Sequence, residues 1–408
     1  MHPKDISISD FTYRLPEGKI AKYPFIPRDQ SKLLIYREGK IKEDIYKNIS
    51  GYISADSLLI FNNTKVIAAR ILFKKESGGA IEIFCLEPAG EVNDYPSVMN
   101  KTASIEWKCM IGGATKWKGG TLTKKIAIKN KIIILCATRK QKLIDSYSVE
   151  FTWQPAHFSF AEIINKAGEV PLPPYIKREL EQKDKQTYQT IYARHQGSVA
   201  APTAGLHFTA RIFSSLKKKN IQTEYVTLHI GAGTFKPVKS STMELHEMHA
   251  EWIDVSLSSI ENIRDHGAKN IIPVGTTSLR TVESLYWMGV KCYLNRNCSL
   301  EELEIKQWEV YEEPLISADV NPKTALHSLV EWLKTNNQKR LFIKTQILLA
   351  PGYRFSVATS LITNFHQPKS TLLLLVAAIT KDWKEIYSFA LENDFRFLSY
   401  GDGCLLFL

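Results

Sequence analysis

Ile81, Ile83 and Cys85 alternate with Glu82 and Phe84, and Val149, Phe151 and Trp153 repeat the period of two that marks strands with one face turned inward. An apolar run from Lys131 to Ala137 lies between them, and Gly112-Gly113 and Gly119-Gly120 supply turns. These segments predict a small all-β unit over roughly residues 71 to 154. On either side the period lengthens. Ser159 and Glu162 form the capping box of a helix whose Phe160, Ile163, Ile164 and Ala167 share one face, ending at Gly168. Pro171-Leu172-Pro173-Pro174-Tyr175 then forces an extended connection. Beyond it the pattern predicts a helix over Arg211 to Lys219, a strand over Thr223 to Ile230, a helix over Ser259 to His266 and a strand over Asn270 to Val274. Leu279, Val282 and Tyr286 mark a further helix, and Asp382 and Glu385 are expected to cap a last one carrying Trp383, Ile386, Tyr387, Ala390 and Leu391. Such alternation argues for an α/β main domain over residues 1–70 and 155–408, interrupted by the all-β unit at 71–154. Residues 291–340 hold an acidic stretch, Glu301 to Glu313, and a helix with Leu326, Leu329, Val330 and Leu333 on one face; they read as an elaboration packed on the outside.

The 408 residues, 44% hydrophobic and 23% charged, suffice for two or three packed units of ordinary globular composition. Arg14, Lys19, Lys22 and Arg28 interrupt the first 30 residues, so no secretory signal is expected. The densest apolar stretch, Leu372 to Ile379, is eight residues, against the roughly 20 that span a bilayer. Six scattered cysteines without a CxxC pair favour reduced thiols in the cytoplasm. Charge changes the picture more. Lys and Arg outnumber Asp and Glu by 53 to 42, a net +11 that favours a polyanionic partner. From Trp107 to Ile144 there are ten basic residues and no acidic one, which gives the all-β unit a basic face with Trp107 and Trp117 near it. The competing reading is a solvated lysine-rich surface with both tryptophans in the core.

Three turns are candidates for binding. The small residues Ala201-Pro202-Thr203-Ala204-Gly205, ahead of His207, allow a ligand to approach the main chain closely, although the same stretch also suits a tightly packed turn. Gly231-Ala232-Gly233-Thr234 follows a strand, but Lys236 stands where a dinucleotide fingerprint needs its third glycine. Thr276, Thr277, Ser278 and Arg280 run from a strand into a helix, where a hydroxyl can cap the first turn or an anion can bind it. His246 and His249 have HxxH rather than HExxH spacing, so no metal site is expected. His207, His229, His249 and His366 are candidate proton carriers among which pattern does not choose.

Read in order, the motifs resemble the S-adenosylmethionine:tRNA ribosyltransferase-isomerase family of queuosine biosynthesis over most of the chain. They include Arg28-Asp29-Gln30-Ser31, Phe61-Asn62-Asn63-Thr64-Lys65, Pro171-Leu172-Pro173-Pro174-Tyr175, Ala200 to Thr209, Thr227-Leu228-His229-Ile230-Gly231, Gly275-Thr276-Thr277-Ser278, Pro351-Gly352-Tyr353, Thr363-Asn364-Phe365-His366 and Ser399-Tyr400-Gly401-Asp402. The resemblance implies an α/β domain with an inserted β-barrel, and a cytoplasmic enzyme using S-adenosylmethionine as ribosyl donor. The acceptor would be 7-aminomethyl-7-deazaguanine at the tRNA wobble position, the products epoxyqueuosine, adenine and methionine. It assigns proton transfer to His207, His229, His249 and Glu251. The 201–205 and 231–234 turns would hold the donor, Thr276, Thr277, Ser278 and Arg280 its polar groups, and Asn364 and His366 would line the pocket. Lys116, Lys118, Lys124 and Lys125 would meet phosphates of the anticodon arm, with a tryptophan stacked on a splayed base. No cofactor, no metal, no membrane and a monomer are expected. Ala68 replaces a usual proline, Leu348-Leu349-Ala350 a usually more aromatic strand, and residues 291–340 exceed the family's connection. Two other readings share these motifs: a paralogue acting on another adenosyl or purine ribosyl compound, and a tRNA-binding protein without catalysis.

Overall fold

The computed structural model describes residues 2–75, 78–90, 92, 94–231, 233, 238, 240, 242–267 and 270–408. In chain order the strands are β1 (Lys32–Arg37), β2 (Lys40–Ile45), β3 (Leu58–Asn62), β4 (Thr64–Val66), β5 (Arg70–Lys74), β6 (Ala80–Pro88), β7 (Ser104–Gly112), β8 (Thr121–Ile128), β9 (Lys131–Lys142) and β10 (Tyr147–Gln154). They continue as β11 (His195–Ser198), β12 (Gln222–His229), β13 (Glu251–Ser256), β14 (Ile271–Val274), β15 (Arg340–Thr345), β16 (Ser360–Asn364) and β17 (Gly403–Phe407). The helices are α1 (Tyr95–Met99), α2 (Phe160–Ala167), α3 (Asp184–Thr187), α4 (Ala210–Lys218), α5 (Leu257–His266), α6 (Thr276–Leu294), α7 (Pro322–Thr335), α8 (Thr371–Ile379) and α9 (Trp383–Glu392).

Among the described residues, nine strands form one mixed sheet in the order β15-β13-β12-β3-β14-β16-β17-β1-β2. Its centre is parallel: β12 and β14 both pair with β3, and β14 with β16, all in the same direction. Central strands buried on both faces need continuous apolar runs, and Leu58, Leu59, Ile60 and Phe61 of β3 provide one. Six strands form a second, antiparallel sheet in the order β5-β6-β7-β10-β9-β8. Its two edges approach each other, since Lys124 of β8 reaches the carbonyl of Leu72 of β5 at 3.0 Å. The inward positions foreseen from the alternation, Ile81, Ile83, Cys85, Val149, Phe151 and Trp153, are all buried. Phe160 of α2 packs into the same core against Trp107, Phe151 and Trp153.

Several expectations need correction. The 291–340 segment is not an external elaboration: Cys292, Cys298, Leu303, Ile305, Leu326, Leu329, Val330 and Leu333 share one core with β12, β13 and α6. The two helices touch closely at Gly289, where a Cβ would lie 2.2 Å from the carbonyl oxygen of Ala325. Asp382 stands at the start of α9 but its side chain caps nothing; it accepts the Tyr36 hydroxyl instead. The Ser159–Glu162 capping box is present as foreseen. No described helix is long and apolar enough to cross a membrane.

Candidate active site

The carboxyl ends of parallel strands are where open sheets of this kind leave room for ligands, because the chain turns away from the sheet on both sides there. Here those ends carry Asn62, His229, Val274 and Asn364. Asn62 is buried and ties three of them together. Its Nδ2 donates to the carbonyl of Leu228 (3.0 Å) and to Thr277 Oγ1 (3.1 Å), while its Oδ1 accepts the N–H groups of Thr64 and Leu228. Gly275 makes the turn into α6 at φ +92°, a conformation that favours glycine. Of the two readings of this turn, capping is not realised: neither Thr277 nor Ser278 caps the helix, and Ser278 Oγ donates back to the carbonyl of Val274 at 2.9 Å. The first turn of α6 therefore keeps its N–H groups uncapped by any side chain, and with them the positive end of the helix dipole.

Three cavities adjoin at this edge among the described residues. The first, about 410 Å³, is lined by Gly233, His246, Met248, His249, Glu251, Arg280, Leu348, Leu349, Gln367, Ser370 and Leu372. A narrower one of about 90 Å³ is walled by Ala200 to Ala204, Gly275, Thr276, Thr277, Asn364, His366, Gln367, Ser370 and Leu372. The third, about 760 Å³, lies between the two sheets, with Glu87, Lys108, Met110 and residues 141–146 on one side and His229, Gly231, Gly233, His249, Glu251, Trp252 and Lys344 on the other. Gly233, His249 and Glu251 belong to both large cavities, so these residues mark the junction. Gly233 is required there, since a Cβ would come within 2.2 Å of the His249 ring.

The four histidines differ sharply in their surroundings. His249 is exposed on the shared wall. His207 is buried, stacked on Tyr46 with centroids 4.3 Å apart, and its Nε2 accepts from Asn364 Nδ2 at 3.2 Å. Burial pushes its pKa down to about 3, so it is neutral at pH 7. His229 is held the same way, at about 3, stacked on Tyr95 at 4.0 Å with Nδ1 bonded to Thr64 Oγ1 and Nε2 without a partner among the described residues. His366, pushed by burial to about 4, bonds Thr363 Oγ1. Glu251 and Arg280 form a buried ion pair; Arg280 Nε also donates to the carbonyl of Ile347 at 3.1 Å, and Glu251 accepts the N–H of Gly231 at 3.2 Å. Arg280 Nη2 is buried with no partner among the described residues.

A family model described as queuosine biosynthesis protein matches residues 8–406. The chain belongs to that family. A relative from Caldanaerobacter subterraneus, named S-adenosylmethionine:tRNA ribosyltransferase-isomerase, is 35% identical over 98% of this chain and 99% of its own. One of the same name from Rickettsia bellii is 36% identical, again over 98% and 99%. A crystal structure of S-adenosylmethionine tRNA ribosyltransferase from Thermotoga maritima aligns over 97% of this chain and 99% of that one, at 26% identity and a TM-score of 0.45.

Against this geometry the residues singled out from the sequence separate into groups. Ala201, Pro202, Thr203, Ala204, Thr276, Thr277, Asn364 and His366 come together around the narrow cavity; His249, Glu251, Gly233 and Arg280 meet in the first, and Gly231 and His229 on the wall of the third. Ala232 and Thr234 lie outside the described residues. His207, Gly205 and Ser278 line none of these cavities. Gly205 is a packing glycine whose Cβ would sit 1.9 Å from the Tyr192 hydroxyl. In the barrel-like sheet Lys116, Lys118 and Lys125 are exposed, whereas Lys124 donates to the carbonyls of Leu72 and Ala167 at 3.0 and 2.9 Å. Trp107 and Trp117 are fully buried, so neither offers a ring to a base. Sequence reasoning missed Tyr95, Glu87, Trp252 and Lys344 in the wide cavity and Met248, Gln367 and Leu348 in the first. Tyr95 carries no local signal at all; Trp252 and Lys344 are cross-strand partners whose pairing needs the register of β13 on β15.

Proposed function

We propose that this chain transfers the ribosyl part of S-adenosylmethionine to 7-aminomethyl-7-deazaguanine in tRNA, forming epoxyqueuosine and releasing adenine and methionine in the cytoplasm. The observation that carries this reading is the junction of two large cavities at Gly233, His249 and Glu251. One cavity has the size and mixed lining for a small donor; the other opens between the sheets, where a nucleotide of a large substrate can enter. The nine-stranded part is then the α/β catalytic domain, and the barrel-like part at 71–154 the inserted lobe that meets the anticodon arm through Lys116, Lys118 and Lys125.

The chemistry requires a base beside the sulfonium carbon, help for adenine as it leaves with the glycosidic electron pair, and a neutral aminomethyl nitrogen to attack. His249 is assigned as the base, because it is exposed on the wall that both cavities share, whereas the other three histidines are buried or partly buried away from that junction. The Glu251–Arg280 pair fixes the floor beneath it. Thr276 and Thr277, with the uncapped first turn of α6, supply donors to a purine or carboxylate in the narrow cavity. His207 acts as a positioning residue through Asn364.

The test is mass spectrometry of nucleosides from tRNA bearing the 7-aminomethyl base after incubation with the chain and S-adenosylmethionine, with free adenine quantified in parallel. Epoxyqueuosine and adenine in equal amounts are expected. Adenine without tRNA dependence would favour a purine ribosyl compound as substrate, and intact tRNA binding without either product would sink the catalytic reading.

A further inference from the structure

The loop that begins at Lys22 leaves three apolar side chains in solvent: Tyr23 is 41% exposed, Phe25 39% and Ile26 92%. The loop is nonetheless firmly held. Arg178 Nε donates to the carbonyl of Lys22 (3.1 Å), Arg396 Nη1 to that of Tyr23 (3.3 Å), and the Tyr23 hydroxyl to Glu181 (2.5 Å). Arg28 closes the far side by donating to the carbonyls of Gln186, Thr187 and Gln189. Apolar groups presented on a fixed frame have already lost the entropy that binding would otherwise cost them.

Cations back the rings. The Arg396 guanidinium lies 3.5 Å from the Phe25 centroid, and Arg178 and Lys183 lie 4.3 and 4.8 Å from that of Tyr23. Lys22 and Lys185 are exposed around them, as are Lys177 and Lys183, which pair with Glu17 and Glu181 at 3.1 and 2.8 Å. The patch also adjoins the cleft, because Tyr175 and Ser399, bonded at 2.7 Å, line the narrow cavity and belong to the segments that carry Arg178 and Arg396.

We infer that this loop is a stacking platform for an unpaired base of the tRNA that flanks the nucleotide entering the cleft. Phe25 gives the base its ring, Ile26 packs beside it, and Lys22 and Lys185 neutralise phosphates. Charge selects RNA over a second copy of this chain: at a net charge of +11 two copies repel, whereas phosphates are attracted. The inference rests on the tRNA reading given above and adds to it a contact surface outside the barrel-like sheet.

The test compares wild type with Phe25→Ala, Phe25→Trp and Ile26→Ser, measuring tRNA affinity by fluorescence anisotropy at fixed salt, steady-state adenine release, sedimentation and melting temperature. Phe25→Ala should raise Kd and the KM for tRNA roughly 10-fold, leave kcat and the KM for S-adenosylmethionine within twofold, and leave the fold intact, while Phe25→Trp should bind like wild type. Unchanged tRNA affinity in Phe25→Ala and Ile26→Ser overturns the proposal alone. Loss of self-association with unchanged tRNA affinity overturns it too and assigns the loop to a second copy. A wild-type chain that binds no tRNA overturns the functional reading and this platform together.

Discussion

In the barrel-like sheet, Trp117 and Trp153 donate their indole N–H groups to the carbonyls of Gly120 and Phe158, and Lys124 donates to two further carbonyls. Side chains that suggest nucleic-acid chemistry in the sequence are used there to close the fold. At the carboxyl edge of the nine-stranded sheet, His229 Nε2 and Arg280 Nη2 are buried with no partner among the described residues, and α6 starts without a side-chain cap. Trp107 Nε1 and Arg70 Nε of β5, buried without a hydrogen bond, are the barrel's own exceptions among the described residues. Leaving a buried polar group unpaired costs about 1–3 kcal/mol, and the two at this edge lie where a ligand in the cleft would supply the partner.

The sharpest way to break this contrast is at the cavity junction. His249→Ala is expected to lower adenine release about 10²-fold or more while tRNA affinity stays within twofold, since general acid–base catalysis is worth roughly 10² to 10⁴. The matching change at the buried site, His207→Ala, should lower the melting temperature through the lost packing against Tyr46 and reduce adenine release less than His249→Ala does. If the two variants behaved alike, the distinction between exposed and buried histidines would fall.

The ion pair beneath the junction comes next. Arg280→Met leaves the Glu251 carboxylate buried without its guanidinium and should reduce unfolding free energy by about 3–5 kcal/mol in urea titrations. A comparable effect is expected from pH. His207 and His229 have folded pKa values near 3, below the ordinary 6.5, so the unfolded chain binds protons that the folded chain refuses. Their stabilising contribution is complete above pH 6.5 and is lost as pH falls toward 3, at about 1.4 kcal/mol per pH unit for each histidine. Urea midpoints measured between pH 7 and 5 should fall accordingly, and less steeply in His207→Gln.

The smallest expected change sharpens the barrel side. Lys124→Met should cost about 1 kcal/mol in stability through its two carbonyl bonds and leave the salt dependence of tRNA binding unaltered. Replacing Lys116, Lys118 and Lys125 together by Glu should leave stability nearly intact and flatten that salt dependence. A common response of all four lysines would show that Lys124 also meets phosphate.

Much of the local structure was legible because it depends on neighbours in sequence. The capping box at Ser159 and Glu162, the alternation at Ile81 to Cys85 and the helix through Leu326 and Leu333 need only a period and a cap. Asp382 shows where such reasoning stops: it is a good cap by type, but Tyr36, far away in the chain, draws its carboxylate elsewhere. The 291–340 segment was misplaced for a similar reason, since nothing within it announces that Gly289 lets α7 settle against α6.

For the site, the family motifs determined which residues deserve scrutiny: Asn62, Gly231, Thr276, Asn364, His229, His249 and His366 all fall at or near the strand ends. Which of them face a ligand was decided only in three dimensions. His207 and His249 are the same side chain in the sequence, and the fold buries one against Tyr46 and leaves the other on the wall between two cavities. The identity of a residue fixes its intrinsic acidity and hydrogen-bonding capacity. Desolvation and partners are properties of distant segments brought together, and they determine whether that capacity is used for folding or remains for chemistry.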